Sequence, residues 1–252
     1  MEARRPASSL PRMYDSLRID FDLLEDLDGV APPIFRHALA EGEDESAKRD
    51  AIDLAARLAG HAETKPSAAG ADLLVLGSSP DAGAGRTDLR PAGRARLDGA
   101  GCPVAVVPRD FAAAGREIGR IDVGIDGSGE AGRAFALGAL LARAHDARLR
   151  AIAVAEPSFD LGGNPRPVDE AERERLARHL AQAAEAKPAM RVETELREGL
   201  ADQILVGLAR EADLLVLGSR ASYGGAGRVA LGHTGERVLR ASRTPVLLVP
   251  AA

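Results

Sequence analysis

Apolar positions in the second half of the chain follow two periods that alternate, one suited to strands and one to helices. Residues 121–126 form a short apolar run ending in Asp126, Gly127 and Ser128, a turn signal, and predict a strand. Residues 130–145, rich in Ala and Leu and free of proline, predict a helix. A second strand is expected over 149–155, and a loop over 159–167, which holds two glycines and two prolines. Over 169–187, Leu176, Leu180 and Ala184 recur every four residues on one face of a charged helix. Asp169 is its expected N-cap, Glu172 follows three residues on, and Pro188 stands past its end. Val192, Thr194 and Leu196 alternate with Arg and Glu over 191–197, as in a half-exposed edge strand. A helix over 200–210, an apolar strand over 213–217, a glycine-rich loop over 218–232, a helix over 234–241 and a strand over 246–249 complete this half. Such alternation implies an α/β fold: an open parallel sheet, helices on both faces and right-handed crossovers.

The same landmarks occur earlier in the chain. Ala-Asp-Leu-Leu-Val-Leu-Gly-Ser occupies 71–78 and again 212–219, 141 residues apart. Cys-Pro-Val-Ala-Val-Val-Pro at 102–108 is answered by Thr-Pro-Val-Leu-Leu-Val-Pro at 244–250. Two matched landmarks in one order imply an internal duplication. Shifting Ile121 back by the same interval leads to before Met1, so the first copy is expected to lack the first strand. It retains a helix over 46–60 and strands over 71–76 and 104–107. Leu17, Ile19, Phe21 and Leu23 alternate with Arg18, Asp20 and Asp22, as a replacement strand would. The expected division is an atypical acidic segment (1–45), a truncated half-domain (46–110), a linker (111–119) and a complete domain (120–252).

A chain of 252 residues accommodates two small domains. Aromatics make up only 3% and Trp is absent, so Ala, Leu and Val must fill the core. A net charge of −5 and a pI near 5.6 argue against nucleic-acid binding through a basic surface. The single cysteine, Cys102, cannot form an internal disulfide, which fits a reducing compartment. Its place beside an apolar strand suits a small core filler better than a reactive thiol. The first twelve residues lack the apolar stretch of a signal peptide, and no run approaches the roughly 20 apolar residues that span a bilayer. A cytoplasmic protein away from membranes is expected. Residues 15–50 hold 11 acidic side chains against four basic ones, which suits a solvated surface or a poorly ordered segment. The five histidines show no metal-ligand spacing, no Walker A sequence occurs, and no Ser/His/Asp arrangement can be argued from spacing. Around Asp26 and Asp28 a calcium loop would need ligands where Leu24 and Phe35 stand. Catalysis is not expected.

Three stretches carry a resemblance: Val-Gly-Ile-Asp-Gly-Ser at 123–128, residues 212–220, and Leu-Arg-Ala-Ser-Arg-Thr-Pro-Val-Leu-Leu-Val-Pro at 239–250. They resemble the universal stress protein family, and the whole chain is similar to its tandem two-domain members. The resemblance covers about 120–250, with 71–108 in part, and leaves out about 1–46. It implies an open, parallel, five-stranded sheet in the C-terminal copy and an incomplete related copy before it. It further implies a non-enzymatic stress-response regulator that takes ATP or AMP at the carboxyl ends of the strands, with Mg accompanying ATP. The physical logic agrees, since open α/β sheets hold ligands at the topological switch point and phosphates against a helix N-terminus.

Nucleotide-binding members carry a loop of the form Gly-x2-Gly-x9-Gly-Ser/Thr. Gly218 matches the first glycine and Gly232 the third. The second falls on Ala221 counting forward, or on Ser222 counting back from Gly232. His233 stands where the hydroxyl belongs, with Thr234 next. Glycine permits positive φ and close backbone approach, which serine permits less freely. Gly224, Gly225 and Gly227 could build a cradle of different geometry, and Arg220 or Arg228 could neutralise phosphate charge. By the resemblance, Asp126 lies near ribose or a phosphate-bound metal, Gly127 shares its turn, and Val154 flanks adenine. Asp126 also fits a turn residue bonding its own backbone. In the first copy Pro80 replaces the second glycine, and Arg90 and Pro91 replace the Gly-Ser pair, so that copy is not expected to bind ATP.

Two functions stay open at this point. One is a regulator whose loop over 218–234 is ordered by ATP or AMP. The other is a ligand-free interaction module that has lost nucleotide binding and meets an unknown protein partner, through a surface such as residues 15–50. A third, dinucleotide binding, rests on Gly127, Gly129 and Gly132, a GxGxxG directly after a strand, with Glu156 as a ribose-binding acid. The proline-led strands Val104–Val107 and Val246–Val249 are expected to pair between the copies, because unpaired apolar edges invite aggregation. A homodimer is a further expected assembly.

Overall fold

Strands that are apolar at every position need cover on both faces, and the chain provides it with helices. The computed structural model describes residues 34–65, 70–115, 117–158, 164, 166–186, 190–219 and 228–250. In the first half these form β1 (Ala38–Glu41), α1 (Glu45–Ala59), β2 (Leu73–Gly77), α2 (Pro91–Asp98), β3 (Val104–Val107) and α3 (Phe111–Ala114). The second half holds β4 (Arg120–Ile125), α4 (Gly129–Ala144), β5 (Arg148–Ala155), α5 (Glu170–Glu185) and β6 (Val192–Glu198). It closes with α6 (Ala201–Ala209), β7 (Leu214–Gly218), α7 (His233–Ala241) and β8 (Val246–Val249).

All strands join one eight-stranded sheet in the order β1-β2-β3-β8-β7-β4-β5-β6. Every neighbouring pair is parallel except β3 with β8, which run antiparallel with Val104 opposite Leu248 and Val106 opposite Val246. The two proline-led strands therefore pair as expected. Five of its strands, β8-β7-β4-β5-β6, come from the second half and are parallel throughout; the β3–β8 pairing carries the sheet on into the first half and makes it mixed.

Alternate residues of each central strand point to opposite layers. Leu214, Val216, Leu247 and Val249 meet Leu54 of α1, Phe135 of α4 and Leu176 of α5 in one core. Leu215, Leu217, Val246 and Leu248 meet Leu97 of α2, Leu205 of α6 and Val238 of α7 in the other. Full burial of one such side chain contributes roughly 1.5–3 kcal/mol. The buried pair Asp122 and Arg150 lies within the sheet. Arg150 reaches Asp122 through two bonds of 2.9 and 2.6 Å, and Glu195 through one of 2.9 Å. Burial pushes the Asp122 carboxyl above its ordinary value. Cys102 is half-buried against the second core, and burial pushes its thiol up to about 11, which suits a filler and disfavours the thiolate.

The first half departs from expectation. A strand does stand where one was expected to be missing: β1 lies parallel to β2, as β4 lies parallel to β7. Helix α1 then packs on β2 as α4 packs on β7. A constant interval failed to find β1 because the halves differ in their middles. Residues 60–72 connect α1 to β2, whereas β5, α5, β6 and α6 all intervene between α4 and β7. β1 also falls inside the stretch 1–45 taken as one atypical segment, and α3 inside the expected linker. The alternating stretch from Leu17 to Leu23 lies outside the described residues.

Candidate functional site

The chain runs from β4 outward to β5 and β6, then returns to β7 and β8 on the other side of β4. Connections leave β4 and β7 in opposite directions, so the carboxyl ends of these strands part around a crevice. A cleft of about 590 Å³ opens there, within the range of small-molecule sites. Asp126, Val154, Gly218, Gly232, His233 and Thr234 all line it. Gly127 does not. Arg220 and Ser222 lie outside the described residues.

The turn after β4 is organised by its own side chains. Asp126 Oδ1 accepts from the Ser128 backbone at 2.9 Å, and Ser128 Oγ accepts from Ala131 N at 3.1 Å as the N-cap of α4. Gly127 sits at φ 81, a conformation that favours glycine, with the side-chain ends of His179 and Arg175 of α5 against it. Its role is in the turn. Arg175 Nη1 donates to the Asp126 carbonyl at 3.1 Å, and the rest of its guanidinium grips Glu172 at 2.8 and 2.6 Å. That pair holds the Glu172 carboxyl below its ordinary value. Both residues line the cleft, so α5 brings charge to a wall otherwise built from Val154, Leu176 and Leu205.

On the far side, Ser219 fastens both ends of the glycine-rich loop. Its N–H donates to Val249 O at 2.8 Å, and its Oγ accepts from Ala230 N at 3.4 Å. Gly232 is the N-cap of α7 and offers no side-chain cap, and His233 and Thr234, which open that helix, line the cleft, with no side-chain acceptor for their N–H groups among the described residues. An anionic group fits such an end. Gly218 has a different task. A Cβ there would lie 2.5 Å from the Glu130 carbonyl carbon and 2.8 Å from Ala131 N, so α4 can approach β7 only over a glycine. Gly77 meets Ala47 of α1 in the same way.

The alternative GxGxxG turn lacks two features that dinucleotide binding needs. A Cβ at Gly132 would meet open space, so no close helix–strand approach requires this glycine. Glu156 Oε1 accepts from Ala201 N at 2.7 Å and so serves the start of α6. Among the described residues no group of three or more His, Cys, Asp or Glu could hold a metal ion, and no helix is long and apolar enough to cross a membrane. Arg175, Glu172 and Ser219 are site residues that sequence reasoning missed. The i, i+3 spacing of Glu172 and Arg175 near the N-cap of α5 was the one available signal, since the start of that helix must follow the carboxyl end of β5.

A family model described as the universal stress protein family matches residues 117–250. A protein of Thermus aquaticus, described as a universal stress protein in the QAH/OAS sulfhydrylase 3′ region, is 37% identical over 129 residues, covering 49% of this chain and 93% of its own. Among solved structures, a universal stress protein from Archaeoglobus fulgidus is similar over 86% of this chain and 85% of its own, with a TM-score of 0.56 and 20% identity. A functionally unknown protein from Pseudomonas aeruginosa PAO1 is similar over 85% and 82%, with a TM-score of 0.53 and 24% identity. These two show the fold alone, and they extend over both halves.

Proposed function

The chain belongs to the universal stress protein family, and on that premise we propose that it is a cytoplasmic, non-enzymatic regulator that binds one adenine nucleotide in its C-terminal half. The observation that carries this reading is the cleft at the switch point, closed on one side by an α7 N-terminus that no side chain among the described residues caps. Phosphates would lie against the N–H groups of His233 and Thr234, where backbone donors and the helix dipole favour negative charge. The base would rest between Val154 and Leu205, and Asp126 would accept from the ribose hydroxyls. With ATP, Asp126 would alternatively be the carboxylate that helps hold Mg, which would offset phosphate charge. Glu172 and Arg175 would set which charge is tolerated at the mouth.

The first half is read as a shortened relative of the second. It keeps the elements that build the sheet and the seam, and lacks counterparts of β5, α5, β6 and α6, which supply the outer wall of the cleft. One site per chain follows. A ligand-free interaction module is the second reading, and it draws on Gly218: packing alone accounts for the first glycine of the motif in both halves. The test is to heat-denature purified protein and identify released nucleotide by mass spectrometry, for the natural chain and for Asp126→Ala. ATP or AMP near one per chain, reduced at least about tenfold in the variant, supports nucleotide binding. No nucleotide released, with no binding on addition of millimolar ATP, supports the interaction module.

A further inference from the structure

A second cleft, of about 280 Å³, lies where the end of β3 meets the start of β8. It shares no residue with the first and sits by the amino ends of β7 and β8, whereas the first sits at the carboxyl ends of β4, β5 and β7. Three arginines line it from three separate segments: Arg109 after β3, Arg210 after α6 and Arg243 before β8. Three guanidiniums in one small cleft are out of keeping with a chain of net charge −5.

These arginines are short of acceptors. Arg109 gives Nη2 to Asp44 at 3.0 Å, while its Nη1 is buried with no hydrogen-bond partner among the described residues. Arg210 and Arg243 are exposed and make no ion pair among the described residues. Of the two carboxylates that line the cleft, Asp213 is occupied by the backbone N–H groups of Gly119 and Arg120, at 2.9 and 3.0 Å. Arg109 is met by Asp44, so it is the guanidiniums of Arg210 and Arg243 that have no direct carboxylate contact among the described residues. A buried guanidinium N–H without an acceptor is costly, and the planar guanidinium fork matches the oxygens of a phosphate.

We propose that this cleft binds a phosphate-type oxyanion, inorganic phosphate or the phosphate of a monoester, which ties the end of the first half to the segments leading into β7 and β8. The proposal stands apart from nucleotide binding in the first cleft. The experiment is to titrate inorganic phosphate into the full chain at constant ionic strength, following heat and melting temperature. The natural protein is compared with Arg210→Ala/Arg243→Ala and with Arg243→Ala alone. Both side chains are exposed, so the variants should keep the natural circular dichroism in phosphate-free buffer. The expected result is saturable phosphate binding that raises the melting temperature, and loss of that binding or at least about a tenfold weakening in the double variant. ATP binding should be unchanged. The same titrations with phosphoserine assign the source, by whether the monoester or the free ion binds more tightly. Phosphate binding that is absent from the natural protein, or identical in the double variant, overturns the proposal.

Discussion

An alanine at Gly218 would press its Cβ into the backbone between Glu130 and Ala131, and one at Gly77 into the backbone of Ala47. Helix backbone cannot swing aside as a side chain can. Each substitution is expected to cost about 1–3 kcal/mol through overpacking, read as a lower midpoint in urea unfolding. Unchanged stability in either variant would mean that the helix does not sit on its strand. At this scale much of the lining of the candidate cleft was legible. Asp126, Val154, Gly218, Gly232, His233 and Thr234 meet around one cleft because a parallel sheet gathers strand ends on one edge, and each of these residues follows or ends a strand or begins a helix. Arg175 and Glu156 were not legible in their roles. One depends on how α5 lies across the turn after β4, the other on where α6 begins relative to β5, and no local pattern records either.

Helix α1 begins at a charged cap. Asp44 accepts from Ala47 N at 2.7 Å and meets Arg109 at 3.0 Å, and these contacts hold its carboxyl below the ordinary value. A carboxyl lowered in the folded state stabilises above its unfolded value and loses that contribution as pH falls through the folded one. Asparagine caps a helix nearly as well but carries no charge. Asp44→Asn should therefore be less stable than the natural chain above the ordinary aspartate range, with the difference vanishing as pH falls through the lowered folded value. Urea unfolding across that range checks it, and a difference that persists in acid would contradict it. Among the elements, the regular alternation from β4 to β8 was readable because each run is long enough to show its period. The strand β1, Ala-Leu-Ala-Glu, is four residues long and has no strand-favouring composition. It is placed by pairing with β2 and by a bridge between Leu39 and Glu63. Helix α2 opens on Arg90 and Pro91, a pair that reads as a loop until the proline is seen at the first helical position.

Across the whole molecule, the two halves are joined through β3 and β8, with Leu97 of α2 and Val238 of α7 in the same core as Val106 and Val246. Thr87 Oγ1 donates to the Leu239 carbonyl, and Arg94 pairs with Glu236. A fragment of residues 117–250 would keep five strands but leave the edge of β8 open, with its apolar residues uncovered. That fragment is expected to self-associate more strongly than the full chain in sedimentation at equal concentration, and equal behaviour would deny the seam its role. The two repeated strings fall on β2 and β3 and again on β7 and β8, but the spacing of the rest was not legible, because residues 60–72 stand between α1 and β2 where β5, α5, β6 and α6 stand between α4 and β7. The central claim is one nucleotide site per chain, formed by the second half alone. Calorimetric titration of ATP into nucleotide-free full chain tests it most directly. The account predicts saturation at one equivalent per chain. No heat at millimolar ATP, or saturation at two equivalents, would contradict it.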